Sequence, residues 1–389
     1  MKIDKLKNCT GCHTCFSACQ SITMHRDKEG FLYPVINKTT CTECGLCESV
    51  CPVITPYSAA EVSDSAAFAA INKDEKIRAE SSSGGIFTAI AEKAVSAGAV
   101  VFGAKFTSDF SVIHCSADNA DDLAEFRGSK YVQSVIGNSF TKCRDLLDCG
   151  KNVLFSGTPC QIAGLKTFLK KNYSNLLTAD FICHGVPSPL LWEKYVSSKI
   201  TKSQNHKITK INFRNKSSGW KNYSFSVNYA DGSSYKQIFR DNEYMRLFLK
   251  DICLRPSCYN CIFKGFHRHS DITLGDFWGI EHELPNFNDN RGTSFVIAHT
   301  DKGKEMITKL DNCIIQKISA EQGAKYNPSL IKSADCPTSR TAFFADLSDN
   351  NLNIGKLAAK YASDSLLLRI KKKINSILRK FSKILRMKK

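Results

Sequence analysis

Apolar and polar residues follow different patterns along the chain, and these patterns predict its main structural regions. Between residues 67 and 181, short apolar runs typical of buried strands, such as AFAAI and NVLFSG, alternate with helical patterns such as IFTAIAEKAVSAG. This alternation predicts an α/β region. From about residue 208 to 240 the apolar positions recur near every second residue, and Asp231-Gly232 marks a hairpin turn. A small antiparallel sheet is expected there.

The flanking regions differ from this central part. Eight cysteines stand near the N-terminus, and the acidic, small-residue stretch SAAEVSDSAA behind them is typical of a linker. We predict an α+β chain made of a cysteine-rich domain at 1–57, a linker at 58–67, an α/β region at 68–181, a region with a further cysteine group at 182–345, and a basic tail at 346–389.

Composition limits the class of protein. Hydrophobic residues make up 42 % and charged residues 23 % of the 389 residues, which is ordinary for a globular protein and excludes disordered and collagen-like chains. No apolar run reaches the length of a membrane span, and the start lacks the apolar core of a secretory signal. We therefore expect a cytoplasmic protein.

The net charge of +17 is concentrated at the C-terminus. Ten lysines and arginines and no acidic residue lie between Leu366 and Lys389, with apolar residues at helical spacing among them. We predict a basic amphipathic helix that lies on an anionic membrane surface, with a partner protein as the alternative. Nucleic acid is not expected, because aromatic residues that stack on bases are nearly absent from the tail.

Eight of the eighteen cysteines form two runs with the same spacing. Each run follows Cys-x2-Cys-x2-Cys-x3-Cys, the pattern of two-cluster bacterial ferredoxins, in which the fourth cysteine of one run ligates the other cluster. Zinc is the alternative metal, but it does not require this doubled run. We predict two 4Fe-4S clusters, the first held by Cys9, Cys12, Cys15 and Cys51 and the second by Cys41, Cys44, Cys47 and Cys19.

A third thiol group consists of Cys253, Cys258 and Cys261. A metal cluster needs a fourth ligand, and Cys160 and Cys183 are both candidates because each lies in a Gly/Pro loop after an apolar strand. We prefer Cys183, which predicts a third 4Fe-4S cluster. A structural zinc site or free thiols are the alternatives. The isolated cysteines are interpreted as packing or surface residues: Cys115, Cys143, Cys149, Cys313 and Cys336.

Six motifs behind the ferredoxin-like region occur in a familiar order. They are SSSGGIFTAIA, RGSKYVQS, LFSGTPCQIAGLK, DFICHGVPSP, CLRPSCYNCIFK and SDITLGDFWGI. In this combination the chain resembles the coenzyme F420 hydrogenase/dehydrogenase beta subunit family, over about three quarters of its length. The resemblance implies an FAD-binding body with an iron–sulfur cluster, in which the flavin converts single electrons to two-electron chemistry.

The resemblance also implies which residues hold the flavin. Serines and glycines before the helix at Ile86 are suited to the FAD pyrophosphate, although the same residues often serve only as a helix cap. The other two motifs form loops beside the ring, for which a solvated loop and a plain αβ turn are the alternatives. The assigned residues are Ser82, Ser83, Gly84, Gly85, Arg127, Ser129, Lys130, Gln133, Gly157, Thr158, Pro159 and Gln161.

Two side chains are assigned to chemistry. Lys130 is a candidate to stabilise the reduced, anionic flavin ring, and His184 is a candidate proton donor, with a backbone hydrogen bond as the alternative. Of Asp271 and Asp276, one is expected to cap a turn and the other to reach the flavin or third cluster. The basic run at 267–269 is suited either to an anionic ligand or to a solvated loop.

We therefore predict an iron–sulfur flavoprotein oxidoreductase. Electrons enter from a ferredoxin-like carrier or partner oxidoreductase, pass through the 4Fe-4S clusters to FAD, and reach a small-molecule acceptor, with membrane-proximal or cell-surface polysaccharide metabolism as its setting. The alternative is a non-catalytic subunit that delivers electrons to a partner enzyme. The sequence names neither the substrate nor the direction of electron flow.

Overall fold

The structure is a computed structural model that describes residues 3–56, 65–200, 207–349 and 351–363. Most of the predicted linker and the whole amphipathic segment from Leu366 lie outside these ranges, so the prediction of an amphipathic helix stays a prediction. The predicted tail begins too early, because Ile354, Leu357 and Ala358 are buried in the hydrophobic core. Across the described ranges, the structure contains no helix with the length and apolar character needed to cross a bilayer.

Strands and helices alternate through most of the chain. The strands are β1 (Ile22–Arg26), β2 (Leu32–Ile36), β3 (Ala66–Asn72), β4 (Val100–Phe106), β5 (Val112–Ala117), β6 (Ser134–Val135), β7 (Val153–Ser156), β8 (Leu176–Phe181), β9 (Ile208–Asn215), β10 (Ser224–Tyr229), β11 (Ser234–Ile238), β12 (Ile272–Asp276), β13 (Ser294–Ala298) and β14 (Cys313–Ile318). The helices are α1 (Thr14–Ala18), α2 (Leu46–Ser49), α3 (Glu75–Glu80), α4 (Ile86–Ser96), α5 (Ala120–Phe126), α6 (Ser139–Asp148), α7 (Pro159–Leu169), α8 (Pro189–Ile200), α9 (Glu243–Leu249), α10 (Ile280–Glu283), α11 (Asp301–Thr308), α12 (Ala320–Ala324), α13 (Pro328–Ile331), α14 (Arg340–Ser348) and α15 (Ile354–Tyr361).

A mixed nine-stranded sheet forms the centre of the described residues. Its strand order is β14-β3-β13-β12-β8-β7-β4-β5-β6, and the central run β12-β8-β7-β4 is parallel. The apolar residues of β7 are buried without alternation, as expected for a parallel strand covered on both faces. Ala66 and Ala67, which we assigned to the linker, already belong to β3. The predicted α/β region is thus part of one large sheet.

The predicted antiparallel sheet is present as β11-β10-β9. Its tight turn contains Asp231 and Gly232, and Gly232 adopts a φ of 82°, which favours glycine. One face of this sheet packs with α8 and α9 on an aromatic core that includes Trp192, Phe213 and Tyr244. The α+β class that we predicted is confirmed.

The ferredoxin segment, residues 3–56, consists of the β1–β2 hairpin and the two short helices α1 and α2. It packs against the remaining described residues, which we call the body. Helix α1 meets α7 at Gly164, where an added Cβ would lie 2.3 Å from Thr14 Oγ1. On another side, Glu29 forms an ion pair with Arg340, and Phe31 is fully buried in the aromatic core. The ferredoxin segment therefore shares its packing with the body.

Candidate functional site

A cavity of about 600 Å³ lies at the carboxyl ends of the parallel strands β7, β8 and β12. Ligands of α/β sheets bind at this edge, because the loops that follow the strands meet there. Its volume is within the range of cavities that enclose small molecules and cofactors. The cavity walls come from the segments 81–88, 127–134, 156–161 and 179–187, together with residues of the small sheet.

The serine-glycine loop before α4 forms one wall of this cavity. Ser82 Oγ accepts hydrogen bonds from Ser129 N (2.7 Å) and from Ser129 Oγ (2.8 Å), which joins two of the predicted flavin loops. Ser83 Oγ donates to the Thr293 carbonyl. Gly84 lies behind the wall, since an added Cβ would lie 2.4 Å from the Ala70 carbonyl oxygen. Gly84, which we predicted to bind the cofactor, therefore serves the packing of the loop on the sheet.

The loop at 127–134 supplies cations to the same wall. Arg127 forms an ion pair with Glu80 at the edge of the cavity. Lys130 Nζ donates to the Arg127 and Gly128 carbonyls, each at 3.3 Å, and burial lowers the pKa of Lys130 to about 8. Gln133 is buried, and its Oε1 has no hydrogen-bond partner among the described residues. This loop offers both a cation and an unused acceptor to a ligand.

The segment that begins α7 is capped by its own side chains. Thr158 N donates to Gln161 Oε1 (2.9 Å) and Gln161 N donates to Thr158 Oγ1, which is a capping box. Gly157, Thr158 and Gln161 line the cavity, whereas Pro159 is the buried first residue of the helix and does not. The plain helix-start alternative thus accounts for Pro159 and for part of the Thr158 and Gln161 contacts.

His184 lines the cavity and lies between two polar partners. Its Nε2 is 2.5 Å from Asp251 Oδ1, and its Nδ1 is 3.4 Å from Ser329 Oγ. The His184 and Phe248 rings pack edge to face, with their centroids 5.0 Å apart. Asp251 adopts a φ of 60°, which is rare for a residue other than glycine. Asp251 carries no signal in the sequence, because it is 67 residues away from His184 and lies in none of the motifs.

A buried ion pair of Arg214 and Asp276 was also missed. Arg214 Nη1 donates to Asp276 Oδ2 (3.0 Å) and to Tyr131 Oη (3.2 Å), and its Nε has no partner among the described residues. Its guanidinium lies 4.1 Å from the Tyr223 ring centroid. In the sequence, Arg214 looks like one more polar residue of a strand. Asp276 lines the cavity.

The other basic and acidic candidates have structural roles. Asp271 accepts hydrogen bonds from the backbone N and Oγ1 of Thr178, each at 2.7 Å, and therefore holds the turn before β12. Arg268 is buried and donates to the Phe263 carbonyl, with its Nη1 3.8 Å from Asp180 Oδ2. The solvated-loop interpretation of this run is therefore wrong for Arg268.

Four thiols of the ferredoxin segment surround one small cavity. These are the members of the first predicted cluster: Cys9, Cys12, Cys15 and Cys51. Burial raises the pKa of the Cys51 thiol to about 11, and negative charge at Cys12 and Cys9 raises it further. We call these four residues the inner thiol set. The structure thus brings together four cysteines from both ends of the doubled run.

The remaining thiols of the ferredoxin segment differ in their exposure. Burial is the main cause that raises the pKa of Cys47, and the nearby Cys19 adds to it. Cys44 is exposed, and the Leu46 backbone N–H helps to lower the pKa of its thiol. Cys41 accepts a hydrogen bond from Glu43 N at 3.4 Å. We call Cys19, Cys41, Cys44 and Cys47 the outer thiol set.

Four thiols of the body also lie near one another, but they are not the predicted four. Burial raises the pKa of Cys183 to about 12, and Cys258 and Cys261 raise it further. Burial likewise raises the pKa of Cys160, with additional contributions from Cys261 and Cys183. We call Cys160, Cys183, Cys258 and Cys261 the body thiol set. Both candidates for the fourth ligand therefore belong to it.

Cys253 lies away from these thiols. It is fully buried in the aromatic core, burial raises its pKa to about 12, and the neighbouring charges belong to Asp251 and Arg340. Its backbone carbonyl accepts a hydrogen bond from Ser188 N. The spacing Cys-x4-Cys-x2-Cys therefore does not identify Cys253 as a cluster ligand, because this first cysteine of the run points into the core.

The inner and body thiol sets approach each other where α1 meets α7. Cys12 lies within 3.3 Å of the position that a Cβ on Gly164 would occupy, and its charge contributes to the raised pKa of Cys160. Among the described residues, no three His, Cys, Asp or Glu side chains are placed to hold a single metal ion. Four cysteines are the donors that hold a 4Fe-4S cube, and a tetrahedral zinc site can use the same four donors.

Comparison with known proteins matches three parts of the chain to family models. Residues 8–54 match the 4Fe-4S dicluster domain. Residues 67–139 match the N-terminal part, and residues 150–322 the C-terminal part, of the coenzyme F420 hydrogenase/dehydrogenase beta subunit. The models thus cover the ferredoxin segment and most of the body in chain order.

Two individual proteins were also found. A chain in a structure titled as the xenon derivatization of the F420-reducing [NiFe] hydrogenase complex from Methanosarcina barkeri has a TM-score of 0.46 and 16 % identity, over 70 % of this chain and 93 % of that chain. The 2,3-bisphosphoglycerate-independent phosphoglycerate mutase of Mycoplasmoides gallisepticum is 31 % identical over 118 residues, 30 % of this chain. The match spans only 22 % of that curated relative's length.

Proposed function

The chain belongs to the coenzyme F420 hydrogenase/dehydrogenase beta subunit family, and we propose that it is itself an iron–sulfur flavoenzyme. It carries a 4Fe-4S dicluster domain and is an iron–sulfur electron-transfer subunit of that oxidoreductase family. In this proposal a reduced carrier delivers single electrons to the ferredoxin segment. They pass through the body thiol set to FAD in the cavity, and the acceptor is a small molecule.

The observation that carries this proposal is the unbroken succession of thiol sets. The outer set is partly exposed, the inner set is enclosed, and Cys12 of the inner set approaches Cys160 of the body set. Cys160 and Cys183 in turn line the cavity. A reaction centre is thus linked to the surface by residues that suit one-electron carriers.

In this proposal each thiol set holds one cluster. The inner set would hold one 4Fe-4S cube and the outer set a second, as the spacing predicts. The body set would hold the third, with Cys160 in place of Cys253. Val186 N lies 3.4 Å from Cys258 Sγ and donates to it, which is the kind of contact that stabilises a cluster thiolate.

The cavity residues fit an anionic dinucleotide such as FAD. Buried polar atoms without partners among the described residues, including Gln133 Oε1 and Arg214 Nε, belong to side chains in the cavity wall. When bound, FAD would exchange single electrons for two-electron chemistry. Ser82, Ser129 and Arg127 would hold its polar portion, Gln133 and Arg214 would orient the ring, and Lys130 would keep a positive charge beside it.

The exposed apolar side chains at the mouth of the cavity favour a second candidate function. Phe181 is 44 % and Leu249 40 % exposed, and both line the cavity. Such a rim is suited to a partner oxidoreductase that docks over the mouth and takes the electrons. In that case the chain would have no catalytic reaction of its own and would deliver electrons to that partner.

An anaerobic purification with iron, sulfide, zinc and released-flavin analysis tests the proposal. Three cubes and one flavin give about twelve irons and one FAD per chain. Iron near eight without flavin, after reconstitution, would favour the electron-delivery subunit. Zinc without sulfide would contradict both functions.

A further inference from the structure

Arg255 is a buried cation at the junction of the ferredoxin segment and the body. Its side chain is fully buried, and its guanidinium lies 4.2 Å from the Tyr33 ring centroid. Nε donates to the Cys9 carbonyl (2.7 Å), and Nη2 donates to the Leu32 carbonyl (2.9 Å). The side chain of a body residue is therefore held by the backbone of the ferredoxin segment.

The charge of Arg255 has no acidic partner in these contacts. Both hydrogen-bond acceptors are carbonyl oxygens, and Nη1 has no partner among the described residues. A buried cation is unfavourable unless an opposite charge lies near it. Arg255 is therefore suited to an anion that the protein binds.

A cluster held by the inner thiol set would supply that anion. Nη1 lies 2.9 Å from where a Cβ of Gly11 would stand, so it faces the Cys9–Cys12 turn, which lacks a side chain at that point. A cube with four thiolates carries net negative charge, and it gains one more negative charge when it is reduced. A cation in a dry site stabilises the more negative state more strongly, which raises the reduction potential.

Arg255 also connects the inner set to the body set through the backbone. Cys258 N donates to the Arg255 carbonyl (2.9 Å), and Arg255 N donates to the Val186 carbonyl (2.8 Å). One residue therefore contacts the Cys9 backbone with its side chain and the Cys258 backbone with its main chain. The separation between the two sets depends on its position.

We propose that Arg255 is the counter-cation of the inner cluster, raises the reduction potential of that cluster and fixes its distance from the body cluster. This inference rests on the cluster assignment made above. The step that it affects would be a one-electron transfer: the reduced cube of the outer set would lose one electron and the inner cube would gain it, with no bond made or broken. Arg255 is a positioning residue, since it reaches the cube through charge and through Cys9.

The test is an EPR-monitored redox titration of the full, reconstituted chain with dithionite as reductant. The inner-cluster signal is identified by its loss in Cys15→Ser. We expect Arg255→Gln to lower the reduced-to-oxidised ratio of that cluster at least tenfold at a fixed potential, which is about 59 mV for one electron. Arg255→Lys, which keeps the charge, should stay within threefold of the wild type.

Arg78→Gln is the matched control. Arg78 is as deeply buried, but it binds Asp289 and the Gly292 carbonyl and no cysteine. Its substitution should leave the inner-cluster midpoint unchanged. An equal shift in Arg78→Gln would overturn the proposal, because any loss of buried charge would then have the same effect.

The iron and sulfide content of the same samples separates the remaining outcomes. A wild-type chain without clusters would overturn the proposed function and this inference together. Clusters in the wild type, with an unmoved midpoint in Arg255→Gln, would overturn this inference alone. If Arg255→Gln loses the inner cluster, Arg255→Lys decides the outcome. A reduced-to-oxidised ratio within threefold of the wild type supports the proposal, and a ratio that is tenfold lower contradicts it.

Discussion

The inner thiol set and the body thiol set differ in how the chain assembles them. Three of the inner thiols come from a single turn, Cys9 to Cys15, and the fourth follows the short helix α2. The body thiols come from the start of α7, the loop after β8 and the loop that contains Cys258 and Cys261. The first set depends on local geometry, whereas the second exists only once three distant loops meet.

This difference explains why the spacing of the cysteines predicts the members of the inner thiol set but not those of the body thiol set. In the ferredoxin segment, a tight turn directs the neighbouring thiols towards one point. In the body, Cys253 precedes a 3-10 turn at Pro256–Asn260 that contains Cys258, and Cys253 points into the aromatic core. A regular spacing therefore predicts ligands only where no core competes for the side chain.

Removing single thiols gives the largest expected effect. We expect Cys258→Ser to lose about four irons per chain, because a cube held by three thiolates is labile, while Cys253→Ser keeps its iron. Iron and sulfide analysis of anaerobically purified variants checks this. Cys160→Ser should behave like Cys258→Ser, and retention of full iron in both would refute the body thiol set.

The contact between α1 and α7 can be tested by adding a methyl group to Gly164. We expect Gly164→Ala to destabilise the protein by about 1–3 kcal/mol, because the added methyl would lie 2.3 Å from Thr14 Oγ1 and would force α1 away from α7. Urea unfolding measures the loss. The matched control is Gly355→Ala, since Gly355 also lies in a helix but is exposed, and its added Cβ meets only Asn353 Oδ1 at 3.3 Å. A cost for Gly164→Ala no larger than that for Gly355→Ala would contradict the close contact.

The body loops rest on a buried polar network that responds to pH. Burial lowers the pKa of His299 to about 4, with Arg268 and His267 adding to the shift and Asp271 opposing it; the ring contacts Thr273 Oγ1 at 2.8 Å. Since the unfolded chain protonates this histidine near pH 6.5, its contribution to stability is complete above that pH and is lost as the pH falls towards 4.

We therefore expect His299→Gln to flatten the fall in stability across this window, by up to about 1.4 kcal/mol per pH unit. Asp180 in the same network has its pKa raised to about 6 by burial, and it acts in the opposite sense between about pH 4 and 6. Urea unfolding at several pH values measures the slope. An unchanged slope in His299→Gln would show that folding does not lower the pKa of His299.

The smallest expected effect concerns the helix that presents Cys160. We expect Thr158→Ala to cost about 1 kcal/mol, because the capping box at the start of α7 is lost. Thermal unfolding measures this cost. Thr308→Ala is the comparison, since that exposed residue ends a helix and caps nothing. Equal costs would mean that the cap of α7 is not formed.

Much of the fold follows from residue patterns, and part of the site does not. The α/β alternation and the hairpin at Asp231 correspond to strands of the large and small sheets. The loops that contain Ser82, Lys130 and Gln161 all reach the cavity. Gly84 and Pro159 do not, because a residue inside a binding motif can serve its packing. No local pattern predicts the Arg214–Asp276 ion pair, which joins two different sheets.

The sequence by itself determined the iron–sulfur character of the ferredoxin segment, the fold class and the family, because these depend on short-range spacing and on periods of two and 3.6 residues. Only the tertiary structure decided that Cys160 and Cys183 lie together, that Cys253 is excluded, and that Arg255 lies between the two thiol sets. The physical reason is that burial and loop convergence are properties of the packed chain. A thiol or a cation acquires its partners only when distant loops close over it.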